Sequence, residues 1–235
     1  RLERGPDKVL RFEGLELYSP GLRLSGRGFR RTDGSFHIEA SGRQAKYGPV
    51  RMVLDGPIAR PNIILLLGAP NEAMGLRAVR LSLVPSASGF DYRAEGGSQI
   101  GDFVSQGQIL LPPGRQASVN IASLIVSGIR ASGVLQAASG GIQGRLAVAG
   151  GGLNGELLFR PVGKNQRIEA HLDASELRLS GPPAFAVRSG RLDGVIILAD
   201  GQTSLDGSLS ARGVEGAGLT LARLTASGRL IKESN

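Results

Sequence analysis

The side chains that could do acid–base or metal chemistry in this sequence are few: two histidines, 20 acidic residues and no cysteine. His37 sits between Phe36 and Ile38, and His171 precedes Leu172. Each falls on the polar phase of an alternating run, facing solvent, whereas a general base needs a positioned partner and a pocket. The carboxylates Glu39, Glu169, Asp173 and Glu176 also fall opposite the apolar phase, which argues against a buried acid pair. A thiolate metal site, a disulfide and a cysteine nucleophile are all impossible without cysteine, and a zinc site would have to rest on carboxylates. Gly150, Gly152 and Gly155 match G-x-G-x-x-G, but phosphate capture there requires a helix to begin at the motif. Glu156-Leu157-Leu158-Phe159-Arg160 follows instead and has the character of a strand, so the glycines are expected to form a hairpin loop. Walker A, G-x-S-x-G and S-x-x-K patterns are missing. The expectation is a protein without catalytic residues, metal or cofactor.

The elements that would position these residues are strands. Apolar residues recur at every second position in Leu22/Leu24, Phe36/Ile38/Ala40, Val50/Met52/Leu54, Val79/Leu81/Leu83, Leu146/Val148, Ile168/Ala170/Leu172 and Leu219/Leu221, the period that sends side chains to alternate faces of a sheet. Asp33-Gly34, Asp55-Gly56, Ser88-Gly89, Ser139-Gly140, Asn154-Gly155, Asp200-Gly201 and Asp206-Gly207 punctuate these runs and supply turns for antiparallel neighbours. One helical turn is conceivable near Asn71–Met74, confined by Pro70 and Gly75. The fold class expected is all-β: a mostly antiparallel, elongated, curled sheet of roughly 18–21 strands at ~8–12 residues per strand, forming an open hydrophobic groove in a β-taco or solenoid-like manner. No linker interrupts it, so residues 1–235 are expected to form one domain, a segment of a longer chain. Recurring fragments, Leu-Arg-Leu-Ser-Gly at 22–26 and 177–181 and Ile-Glu-Ala at 38–40 and 168–170, suit a quasi-one-dimensional β array.

Composition narrows the function. Glycine accounts for 36 residues, and the aromatics are only seven Phe and three Tyr, with no Trp. Aromatic platforms for sugars or for stacked bases are therefore scarce, and no basic helix is available for a nucleic-acid groove, so no nucleic-acid partner is expected. The net charge of +8 comes from 28 Lys and Arg, 24 of them Arg. Guanidinium groups suit the phosphates of lipid headgroups or nucleic acid, yet apart from Arg30-Arg31 they fall singly among aliphatics. The longest aliphatic run, Ile63–Leu67, is far shorter than the ~20 residues that span a bilayer. What dominates is a continuous aliphatic face. Left open, it would shield acyl chains, each CH₂ removed from water being worth ~0.8 kcal/mol and a sixteen-carbon chain roughly 12 kcal/mol. The lining expected is Leu146, Val148, Leu157, Phe159, Ile168, Leu172, Leu177, Leu179, Val195, Ile197, Leu205, Leu209, Leu219 and Leu221. Periodicity does not separate this from a passive β-solenoid or sandwich module of an adhesin or passenger protein whose core is closed.

The stretches Gly89–Ser98 (GFDYRAEGGS) through Ile100-Gly101-Asp102-Phe103, Leu124–Gly133 (LIVSGIRASG) and Gly144–Gly155 (GRLAVAGGGLNG) resemble the TamB family, the inner-membrane-anchored subunits of the translocation and assembly module, within the AsmA-like, bridge-like lipid-transfer group of Gram-negative bacteria. The resemblance implies a periplasmic β-rich protein anchored in the inner membrane, with phospholipid or another apolar chain, or outer-membrane protein segments, in a hydrophobic groove. It also implies a TamA-like outer-membrane partner met through regions outside this chain, and a role in outer-membrane and autotransporter assembly. It carries no catalytic residues. An array cut from a longer sheet would expose strand edges near Leu10–Leu17 and Leu219–Leu230 and associate end to end.

Overall fold

A computed structural model describes residues 2–5, 8–19, 22–44, 48–70, 75–179, 184–199, 202–216 and 218–233. The chain is all-β, and no helix occurs among these residues. It divides into two compact units, Arg1–Ser98 and Gln99–Asn235. The helical turn anticipated at 71–74 lies outside the described residues.

The first unit holds eight strands: β1 (Leu2–Arg4), β2 (Leu10–Ser19), β3 (Leu22–Arg30), β4 (Phe36–Gln44), β5 (Gly48–Gly56), β6 (Asn62–Leu67), β7 (Arg77–Ser86) and β8 (Gly89–Ser98). Each of β1–β7 pairs antiparallel with the next in sequence. The register lines up Leu17, Leu24, Gly42, Val50, Leu67 and Val79 in one row, and Gly26, Ala40, Met52, Leu65 and Leu81 in the row beside it. Leu24, Ala40 and Val50 form the centre of this unit's core.

The second unit holds nine strands: β9 (Gly101–Leu110), β10 (Ser118–Val126), β11 (Ile129–Ala138), β12 (Gly141–Ala149), β13 (Leu153–Val162), β14 (Asn165–Leu179), β15 (Phe185–Ala199), β16 (Gln202–Gly216) and β17 (Leu219–Glu233). It too is an antiparallel meander. Among the described residues no strand of β9–β17 other than sequence neighbours is paired, so this sheet stays open. A flat sheet would hold alternate strands about 9.6 Å apart. Here β11 and β13, and likewise β12 and β14, bring Cα atoms within 8 Å. The sheet bends there, and its core is the cluster of Ile129, Ala131, Val148, Leu177, Leu179, Val187 and Ala211.

Among the described residues seventeen strands stand where 18–21 were expected, because runs that look separate belong to one strand. Ile168–Leu172 and Leu177/Leu179 both lie in β14, and Leu219/Leu221 and Leu224/Ala226 both lie in β17. A one-residue bulge, matched on the neighbouring strand so that the register is kept, changes the phase between them. The pairing of β14 with β15 runs Ser175↔Ser189 and then Leu177↔Val187, with Glu176 at φ 51°. The same break recurs in line, at Arg212 to Val214 in β16 (Gly213, φ 58°) and at Leu221 to Arg223 in β17. Two presumed turns are likewise interior: Asn154-Gly155 lies within β13 and Asp206-Gly207 within β16.

Candidate functional site

The apolar face of the second unit is built row by row from the register. Leu146 of β12 stands opposite Leu157 of β13, which faces Ala170 of β14. Phe159, Ile168, Ile196 and Leu205 form a second row, and Leu172, Leu192 and Leu209 a third that continues from Val148 through Gly155. Beyond the bulges, Leu177, Val187, Val214 and Leu221 fall in line, as do Leu179, Phe185, Gly216 and Leu219. The expected lining residues therefore share one face, with two exceptions. Val195 pairs with Glu169 and Asp206, and Ile197 with Arg167 and Ser204, which puts both on the opposite, polar face. The run Val195–Leu198 is apolar on both phases, so alternation alone cannot orient it. The polar Asp193 ahead of it marks odd positions as outward and carries the missing signal. Ile196, Leu192, Val187, Val214 and Leu224 belong to the apolar face in a way the sequence did not single out.

The first row, which lies between the second and the third, loses its side chains beyond Ala170. Gly194, Gly207 and Gly228 stand in register across β15–β17, flanked on one side by Leu192, Leu209 and Ala226 and on the other by Ile196, Leu205 and Leu230. The glycines form a floor and the flanking aliphatics two walls, about 13 Å apart at Cα for positions four residues apart along a strand. An open cleft of about 310 Å³ results, lined by Leu192, Leu205, Leu209, Ala226 and Leu230 with little polar surface. It runs across the strands. The face is unsealed at its end: Leu219, Leu221 and Leu230 of β17 keep 65%, 40% and 68% of their surface. No large side chain among the described residues is wholly buried, Leu24 at 3% and Leu146 at 4% coming nearest.

The polar faces carry ion pairs. In the first unit, Asp55 Oδ1 accepts from Arg31 Nη2 at 2.8 Å and lies 3.0 Å from His37 Nδ1, while His37 Nε2 is 3.3 Å from Glu39 Oε1. The His37 ring stacks on Phe29 with centroids 5.2 Å apart. The Arg31 guanidinium, and then the His37 ring, hold the Asp55 carboxyl below the usual range. In the second unit, His171 Nδ1 lies 2.8 Å from Asp193 Oδ1, and that hydrogen bond pushes the His171 pKa up. Arg191 donates to both oxygens of Asp173, at 2.7 and 3.2 Å, and holds that carboxyl low. Each histidine is thus occupied by carboxylates on an exposed face. No cluster of three metal-ligating side chains occurs among the described residues. The Gly150-Gly151-Gly152 stretch is the loop between β12 and β13, and Gly155 lies in a strand rather than at a helix start.

Comparison with known families, curated proteins and solved structures gives no match. Function has to be argued from the apolar face itself.

Proposed function

We propose that this chain is a segment of a TamB-like periplasmic bridge whose apolar face shields phospholipid acyl chains, or apolar segments of outer-membrane proteins, on their way between the two membranes. The observation that carries this reading is the glycine-floored cleft with aliphatic walls on an open sheet, ending at β17 with large leucines still exposed. Aliphatic walls discriminate little between one methylene and the next, so a flexible chain could advance along the rows without a specific binding step. Hydrophobic transfer of the acyl chain supplies the affinity. Anchorage in the inner membrane, a TamA-like partner and a part in outer-membrane assembly are elements of the same proposal, and they rest on the resemblance of sequence.

Photo-crosslinking in cells tests it. Crosslinkers at Leu157, Ile168 and Leu209, on the apolar face, are expected to capture lipid, whereas those at Glu156, Glu169 and Ser208, on the polar face, are not. Equal labelling of both sets, together with no lipid in mass spectra of extracts from the purified chain, would leave only a passive adhesin-like or passenger-like module.

A further inference from the structure

The polar face of the last strands, opposite the cleft, gathers arginines. Arg212 of β16 and Arg223 of β17 stand directly across from each other in the ladder, with Ser189 of β15 next in the same row. Like charges opposite one another on neighbouring strands repel. Among the described residues neither arginine makes an ion pair. In the adjacent row Arg191, Ser210 and Thr225 are in register, and Arg191 is the one arginine here that is neutralised, by its two hydrogen bonds to Asp173. The Arg188 side chain lies beside them, since a Cβ built on Gly213 would meet its Nε at 3.4 Å and its Cζ at 3.6 Å. Arg212, Arg223, the Arg191–Asp173 pair and the residues Ser189, Ser210 and Thr225 line an open hollow of about 480 Å³.

We propose that this hollow binds a phosphate group. Two guanidinium side chains without an ion-pair partner stand next to each other on one face of the ladder, and a guanidinium matches the oxygens of a phosphate in bidentate fashion. The hydroxyls of Ser189, Ser210 and Thr225 border the same space and can donate to the remaining oxygens. A carboxylate has only two oxygens and would leave most of these donors unused. An anion seated between Arg212 and Arg223 turns their repulsion into attraction, while the Arg191–Asp173 pair beside them is internally neutralised and adds no net charge. The ligand is a phosphate monoester, either soluble or carried by a lipid headgroup. The site does not depend on the groove, because it occupies the other face.

Titration of the full chain with inorganic phosphate at constant ionic strength tests this. Saturable shifts of the Arg212 and Arg223 Nε–Hε resonances and a raised thermal midpoint are expected. The double variant Arg212→Gln/Arg223→Gln should weaken binding by roughly tenfold or more, while Arg130→Gln should not. In phosphate-free buffer the double variant should unfold at the same temperature as the parent or higher, because a repulsion has been removed. Cosedimentation with phosphatidylcholine vesicles, with and without phosphatidic acid, separates the sources. Binding that requires phosphatidic acid and is lost in the double variant identifies a headgroup; phosphate binding without vesicle binding identifies a soluble ligand. Absence of saturable shifts in the parent, or equal weakening by Arg130→Gln, would overturn the proposal.

Discussion

Gly155 shows how closely a neighbouring strand can approach a single residue. It sits inside β13 at φ 141°, and a Cβ at this position would collide with the His171 carbonyl oxygen of the neighbouring strand. Gly155→Ala should therefore cost about 1–3 kcal/mol in urea unfolding, the range for backbone held in a sparsely populated region. Gly163→Ala, at an open loop position with φ 62° and nothing within 4 Å, should cost less, about 1 kcal/mol. The need for glycine at 155 was legible in the sequence, but its location was not. Asn-Gly suits a tight hairpin and an in-strand kink equally well, and only the partner strand distinguishes them. Across the ladder, His171 makes a second prediction. Its pKa is raised above 6.5 by Asp193, so the folded state binds the proton more tightly than the unfolded chain does. The resulting stabilisation is complete below the unfolded pKa and is lost as pH rises through the folded one. An NMR titration should place the His171 midpoint above 6.5, and Asp193→Asn should bring it down.

At the level of elements, the bulge line across β14–β17 decides which leucines face inward. Glu176, at φ 51°, is the residue that lets Ile168, Ala170 and Leu172 share a face with Leu177 and Leu179. Glu176→Pro, whose ring excludes the left-handed φ, forces plain alternation through this point and turns Leu177 and Leu179, both buried, to the polar side. The expected loss is on the order of 3–6 kcal/mol for two leucines, measurable by urea unfolding. Glu176→Gly should be neutral or stabilising by up to about 1 kcal/mol, because glycine adopts that backbone freely. Strand type and hairpin order were legible because a period of two and turn residues at short intervals both survive in the sequence. Strand number was not. A bulge and a turn interrupt alternation in the same way, and only pairing with a continuous neighbour shows that the strand goes on. Val195 and Ile197 failed for the related reason that a run apolar on both faces has no visible phase.

Across the whole molecule, stability is expected to vary along the chain. A meander bonds each strand only to its neighbours, so opening propagates from exposed ends. Hydrogen exchange should show two maxima of protection, one at Leu24, Ala40 and Val50 and the other from Ile129 to Val187. β17 should exchange fastest within the second unit. Uniform protection would show one cooperative block instead. The division after Ser98 was not legible, since Ser98-Gln99-Ile100-Gly101 has the same chemistry as the other hairpin connections and composition does not change there. One consequence of the meander reaches beyond this chain's own stability. A hairpin inserted by tandem duplication need find no distant partner, and each adds about 10 Å of sheet. Lineages can thus tune reach through gene length, without inventing a new topology.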